Sequence, residues 1–166
     1  MRQPAATTLS LATAEQTRGA GRALGAALLD VGGGPCIIAI EGELGSGKTT
    51  FVSGVLRSLG ITGAVRSPTY TLIEPYEASE RLIYHLDLYR LSNAGEVDGL
   101  GLRDLLTPTA LLLIEWPSRG AGLLPPPDLE IQLDYPAEGE GRRLVMAACT
   151  PLGDSALRRF VAEKPE

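Results

Sequence analysis

The feature that most constrains this chain is the run Gly42-Glu43-Leu44-Gly45-Ser46-Gly47-Lys48-Thr49, which meets the phosphate-binding pattern G-x-x-x-x-G-K-[ST] at every fixed position. It follows directly on Cys36-Ile37-Ile38-Ala39-Ile40, a continuous apolar run typical of a strand covered on both faces. Beyond it, Thr50 to Leu59 reads as a helix ended by Gly60. Strand, glycine loop and helix thus stand in the order that gives the motif its meaning. A strand buried on both faces needs helices on both sides of its sheet, so the loop already points to an α/β fold. Lysine use sharpens the point. Of 15 basic residues only Lys48 and Lys164 are lysines, and Lys48 stands where a compact ammonium on a flexible stem suits a phosphate better than a planar guanidinium.

The other segments extend this frame. Ala6 to Ala12 alternates weakly as a short strand, and Thr13 with Gln16 predicts a capped helix carried by Leu24, Leu28 and Val31 until Gly32-Gly33-Gly34. Thr69 to Tyr76 and Arg81 to Leu88 read as a strand pair with a turn around Glu77 to Glu80. Asn93 and Glu96 predict the start of a helix to about Leu106, weakened by Gly95, Gly99 and Gly101. Ala110 to Glu115 is a second fully apolar strand ending in an acid, and Leu123 to Pro127 is a proline-rich connector. Leu129 to Asp134 and Arg143 to Ala148 form a late strand pair, before a terminal helix with Pro151 at its first position. The expectation is a single domain over residues 1–166: a three-layer, P-loop NTPase-like α/β domain with a central mixed, largely parallel sheet.

Composition narrows the function. A net charge of −5 argues against unaided DNA or RNA binding, which needs clustered cations to displace counterions. The pairs Arg142-Arg143 and Arg158-Arg159 read as solvated surface. Cys36 and Cys149 are too few for a disulfide scaffold or metal cluster and read as small buried hydrophobes. No basic-then-apolar leader and no apolar stretch of about 18 residues is present, so the expected address is the cytoplasm, with no membrane role.

The loop residues Glu43, Leu44, Gly45, Ser46, Gly47, Lys48, Thr49 and Thr50 are the expected nucleotide contacts. Gly45 and Gly47 let successive amides point inward as an anion nest, and the helix that follows adds its dipole. Lys48 would meet the β- and γ-phosphates, and the Thr49 hydroxyl would ligate Mg²⁺. Glu115, at the carboxyl end of an apolar strand, faces the ligand crevice of such sheets, where an acid can hold the Mg²⁺ water shell or polarise the attacking water. Trp116 either packs against the nucleotide or caps the core. His85, Asp87 and Tyr89 share one strand face, which calls for a site or an exposed sheet surface. His85, the only histidine, reads as structural rather than as a metal ligand. Thr69, in Ser67-Pro68-Thr69-Tyr70-Thr71, is either part of an ordinary turn or a switch-type sensor of the γ-phosphate.

Together, Glu41 to Phe51, Val65 to Leu72, His85-Leu86-Asp87-Leu88-Tyr89-Arg90-Leu91 and Leu113-Ile114-Glu115-Trp116-Pro117 resemble the TsaE (YjeE) family, the bacterial ATPases of tRNA threonylcarbamoyladenosine biosynthesis. The resemblance spans most of the chain in order. It implies a P-loop fold, binding of ATP or ADP with Mg²⁺, weak hydrolysis by the isolated chain, and association with TsaD and TsaB, which makes any tRNA contact indirect. It further implies Lys48 and Thr49 as phosphate and metal contacts, Thr69 in a switch-like loop, Asp87 as an acid near the metal, and Glu115 as the catalytic acid. Trp116 and Tyr89 match family positions. Ser118 stands where an acid is common, and the segment 95–101 is unusually rich in glycine.

Three rival readings are weighed beside this one. A small-molecule P-loop kinase needs an arginine-bearing lid; Arg103 or Arg119 could serve, but no Arg-rich lid segment stands out. A GTPase needs an Asn/Thr-Lys-x-Asp base-reading motif, and the only other lysine is Lys164. A nucleotide-gated regulatory module with incidental hydrolysis is the third.

Overall fold

The computed structural model of the chain describes residues 5–32, 34–68, 70–78 and 80–163. Seven strands form one sheet: β1 (Ala6–Leu11), β2 (Cys36–Glu41), β3 (Ile73–Ala78), β4 (Arg81–Asp87), β5 (Ala110–Glu115), β6 (Leu129–Asp134) and β7 (Arg142–Ala148). Their order is β1-β7-β6-β2-β5-β4-β3. The central four, β6-β2-β5-β4, run parallel. The flanking strands pair antiparallel at both edges. Four α-helices accompany them: α1 (Ala14–Leu29), α2 (Lys48–Ser58), α3 (Leu102–Leu105) and α4 (Pro151–Glu163).

The sheet divides the core in two. On one face Ile38, Ile40, Leu111, Leu113, Leu129 and Met146 meet α1, α2 and α4, centred on Leu24, Phe51, Leu56 and Phe160. On the other, Ile37, Leu86, Leu112 and Ile114 meet Val97 and Leu102. That third layer is thin, built from α3 and the 3₁₀ helices Ala94–Leu100 and Pro117–Gly120. No helix among the described residues is long and apolar enough to cross a membrane.

Several boundaries differ from the sequence expectation for identifiable reasons. Helix α1 stops at Leu29, where Asp30 leaves helical geometry ahead of the glycine run. Helix α2 already contains Lys48 and Thr49, because Gly47 takes the left-handed conformation that starts it. Strand β3 begins at Ile73 rather than at 69, since Leu72 has φ 66° and its amide closes a turn onto the Pro68 carbonyl. The helix expected from Asn93 to Leu106 is split: a 3₁₀ helix gives way to α3 at Gly101, φ 68°, and Asn93 supplies no side-chain cap. Cys149 is exposed, unlike the buried Cys36. Leu144, Met146 and Ala148 face the helices, so the next position falls on the uncovered side.

Helices α1 and α2 cross closely at glycine. A Cβ on Gly54 would stand 2.1 Å from the Arg18 carbonyl oxygen, and one on Gly21 would stand 2.0 Å from that of Phe51. In an exposed helix Gly→Ala stabilises by about 1 kcal/mol. Here the methyl has no room, and Gly54→Ala is expected to destabilise the chain by about 1–3 kcal/mol. Urea unfolding of the two proteins checks the sign.

Candidate functional site

Parallel strands β2, β4 and β5 all end at the same edge of the sheet, and the glycine loop leaves the first of them there. The loop is held from below. A Cβ on Gly42 would lie 1.9 Å from the Leu133 carbonyl oxygen, so no larger residue lets the loop lie this close to β6. Gly45 (φ 78°) and Gly47 (φ 105°) take backbone conformations that L side chains resist. Helix α2 then begins without a side-chain cap. Its first amides and its dipole are therefore available to an anion.

A cavity of about 480 Å³ opens on this loop, lined by Leu44, Gly45, Gly47, Lys48, Thr49, Thr50, Ser67, Asp87, Tyr89, Arg90, Glu115 and Trp116. Lys48 curls over the loop, with Nζ donating to the carbonyls of Gly42 (2.8 Å) and Glu43 (2.9 Å). The same ammonium lies 4.2 Å from the centre of the Trp116 ring. Burial pushes its pKa below the ordinary lysine value, while the carboxylates of Glu115, Glu41, Asp87 and Asp134 oppose the shift. The Thr49 hydroxyl stands 3.1 Å from each oxygen of Glu115. Glu115 is 2 % exposed and its Oε2 is 2.5 Å from His85 Nε2.

Strand register brings the acids together. Asp87 pairs directly with Glu115 across β4 and β5, and His85, Asp87 and Glu115 share the face that carries α2. Asp87 lies in the cavity wall, 5 % exposed, so of the two readings open for this face the exposed surface does not hold. Its Oδ1 accepts the Tyr89 amide at 3.0 Å and its Oδ2 accepts the Ser67 hydroxyl. Trp116, φ 58°, turns out of β5 in a left-handed conformation, which lays its ring 4.9 Å from that of Tyr89. Ser118, where the resemblance led us to expect an acid, donates its amide to Glu41 Oε2 at 3.0 Å. Thr69 lies outside the described residues. Of the other loop residues, Glu43 is exposed and Ser46 is buried beneath the loop; neither lines the cavity.

Three contributors were not legible as site residues. The Asp134 carboxylate accepts the Glu43 amide at 2.8 Å. Arg142, read above as solvated, instead hydrogen-bonds the carbonyls of Ser46 (Nε, 3.0 Å) and Gly45 (Nη2, 3.3 Å), with its guanidinium 4.2 Å over the Tyr135 ring. Arg90 lines the cavity while lying 4.6 Å over the ring of exposed Tyr70. Sequence carries no local signal for Asp134 or Arg142, which reach the loop only because β6 lies beside β2 and β7 beside β6. Arg142→Ala removes the donor that holds the Gly45 and Ser46 carbonyls. Hydrogen bonds to charged groups contribute about 1.5–3 kcal/mol, less when part-exposed, so polyphosphate affinity should fall roughly fivefold to tenfold. Calorimetric titration with ADP is the check.

A larger groove of about 580 Å³, lined by Ala39, Ile114, Val145, Ala147 and Pro125 to Pro127, lies on the other face of the sheet.

The chain matches, over residues 11–144, the family model described as "Threonylcarbamoyl adenosine biosynthesis protein TsaE". It is 40% identical over 124 residues to the tRNA threonylcarbamoyladenosine biosynthesis protein TsaE of Haemophilus influenzae, a match covering 75% of this chain and 77% of that one. To the Bacillus subtilis protein of the same name it is 36% identical over 104 residues, 63% of this chain and 65% of the relative. The crystal structure of Bacillus subtilis YdiB superposes with a TM-score of 0.77 at 22% identity, covering 99% of this chain and all of the other, which shows the shared fold.

Proposed function

The chain belongs to the TsaE family of tRNA threonylcarbamoyladenosine biosynthesis proteins, and on that premise we propose that it is a Mg²⁺-dependent ATPase whose turnover drives or resets a TsaD–TsaB complex between rounds of threonylcarbamoyl transfer to tRNA. The observation that carries this reading is the meeting of Thr49 with both oxygens of Glu115 beside Asp87, at the foot of the glycine loop. In this reading the nest amides and Lys48 hold the polyphosphate, and Lys48 exchanges its two loop carbonyls for phosphate oxygens. Glu115 orients a water for in-line attack on the γ-phosphorus. The bond from that phosphorus to the bridging oxygen breaks, giving ADP and inorganic phosphate, which takes up the water's proton. Trp116 and Tyr89 wall the pocket.

The donor set fits magnesium. Thr49, Glu115 and Asp87 would hold it through hard oxygens, and among the described residues no group of three or more His, Cys, Asp or Glu could enclose a metal ion. This suits an ion that retains waters and phosphate oxygens. When bound, Mg²⁺ neutralises phosphate charge.

The lowered Lys48 pKa makes affinity pH-dependent. Only the ammonium attracts phosphate, so ADP affinity should weaken as pH rises through Lys48's depressed pKa, before ordinary lysines lose their protons. Folding responds with the opposite sign. Between the folded and unfolded pKa values of Lys48 the unfolded chain holds the extra proton, so Lys48's contribution to stability rises with pH there. Titration of ADP affinity between neutral and alkaline pH should show the loss, and Lys48→Ala should flatten it. Phosphate release by the pure chain, alone and with TsaD, TsaB and tRNA, tests the function. Slow release stimulated by the partners is expected; phosphoryl transfer to a small metabolite instead would overturn it.

A further inference from the structure

Hydrolysis as proposed gives the buried ring of His85 no task. His85 on β4 is fully buried, and its Nε2 lies 2.5 Å from Glu115 Oε2. Its Nδ1 has no partner among the described residues. A ring nitrogen this close to a carboxylate oxygen donates to it, which places a hydrogen on Nε2. The ring is thus committed to a single contact, and that contact is Glu115.

Glu115 has two oxygens and, in this structure, two partners. The Thr49 hydroxyl is equidistant from both oxygens at 3.1 Å and does not select between them. His85 does select, because it touches Oε2 alone. Both residues sit on rigid elements: His85 within a strand paired on both sides, Glu115 at the end of the fully buried β5. A carboxylate held at one oxygen by a buried donor on a rigid strand keeps a fixed orientation toward the cavity.

We propose that His85 is a positioning residue for hydrolysis: by donating Nε2–H to Glu115 Oε2 it fixes the orientation of the carboxylate that the attacking water needs. The inference rests on reading this pocket as the hydrolytic site. His85 touches no nucleotide atom in this scheme, so its removal lowers kcat and leaves affinity for nucleotide alone. Outer-shell partners of this kind are worth about tenfold to a hundredfold in activity.

The test uses the full chain and three variants. In His85→Gln the side-chain amide nitrogen can occupy the place of Nε2. In His85→Asn the amide is one methylene too short, and in His85→Leu the donor is gone. Melting temperature, Kd for ADP and kcat at saturating ATP are measured for each, below the lowest melting temperature. The expected pattern is an unchanged Kd in all three, with kcat lowered about tenfold to a hundredfold in Leu and Asn and largely restored in Gln. Equal kcat in folded Gln and Asn, or undiminished kcat in Leu, overturns the proposal. A wild-type chain with no turnover under any condition instead removes the ATPase reading itself.

The wild-type chain supplies a second readout that needs no variant to fold. His85 is its only histidine, so an ¹⁵N imidazole spectrum contains one ring. A proton on Nε2, moved by binding of magnesium ADP, is the expected result. Nε2 without a proton would overturn the assignment.

Discussion

In the Lys48→Ala variant, affinity for ATP and for ADP is expected to fall about a hundredfold or more. Lys48 is the loop's only cationic side chain, and two charge-assisted contacts to phosphate at about 1.5–3 kcal/mol each set that scale. The free protein feels the change differently. Lys48 Nζ satisfies the Gly42 and Glu43 carbonyls and stacks at 4.2 Å on Trp116, so alanine leaves two acceptors facing the cavity and loosens the tryptophan. Water can reach those carbonyls in an open pocket, so the melting temperature should move far less than the affinity. Calorimetry gives the affinity directly. Trp116 is the only tryptophan, and in the wild-type chain its emission should respond when Lys48 leaves the ring for phosphate.

The complementary result is expected from Glu115→Gln, which keeps shape and removes charge. The glutamine oxygen can still accept from His85 and Thr49, so folding should be preserved. Nucleotide binding should hold or tighten, because a buried negative charge beside a polyphosphate is gone. Turnover should fall by about 10²-fold or more, the scale on which losing the placement of a reacting group costs rate. Single-turnover hydrolysis, with binding measured independently, separates the two effects. A Glu115→Gln chain that binds poorly and hydrolyses normally would reverse the roles assigned to Lys48 and Glu115.

How far the fold could be read from the sequence depends on which force places each element. The central strands β2 and β5 are legible because burial on both faces demands unbroken apolar runs, and Ala110 to Glu115 has the same limits in both readings. Helix α1 is legible at its start, where Thr13 accepts the Gln16 amide at 3.1 Å. Its end is less so, because glycines 32 to 34 advertise a stop that Asp30 has already made. The segment from 94 to 105 misleads because Asn93 and Glu96 advertise the start of one helix, whereas Asn93 supplies no cap and Gly101 interrupts the backbone. The site divides the same way. The loop motif is contiguous, so Lys48 and Thr49 announce themselves. Asp87 and Glu115 are visible as strand-end acids, but their adjacency is a matter of sheet order, which no local pattern encodes. Arg142 shows the limit most plainly. A basic pair after an acidic turn looks solvated until β7 is placed antiparallel to β6, whereupon its guanidinium reaches the Gly45 and Ser46 carbonyls.

The central claim is that ATP hydrolysis at Lys48 and Glu115 lets a TsaD–TsaB complex act more than once. Counting modified tRNA formed per complex, with ATP and this chain in its wild-type or Glu115→Gln form, tests it most directly. The account predicts many rounds with the wild-type chain and no more than about one with Glu115→Gln, even when the variant is saturated with nucleotide. Sustained rounds with the hydrolysis-deficient chain would contradict it.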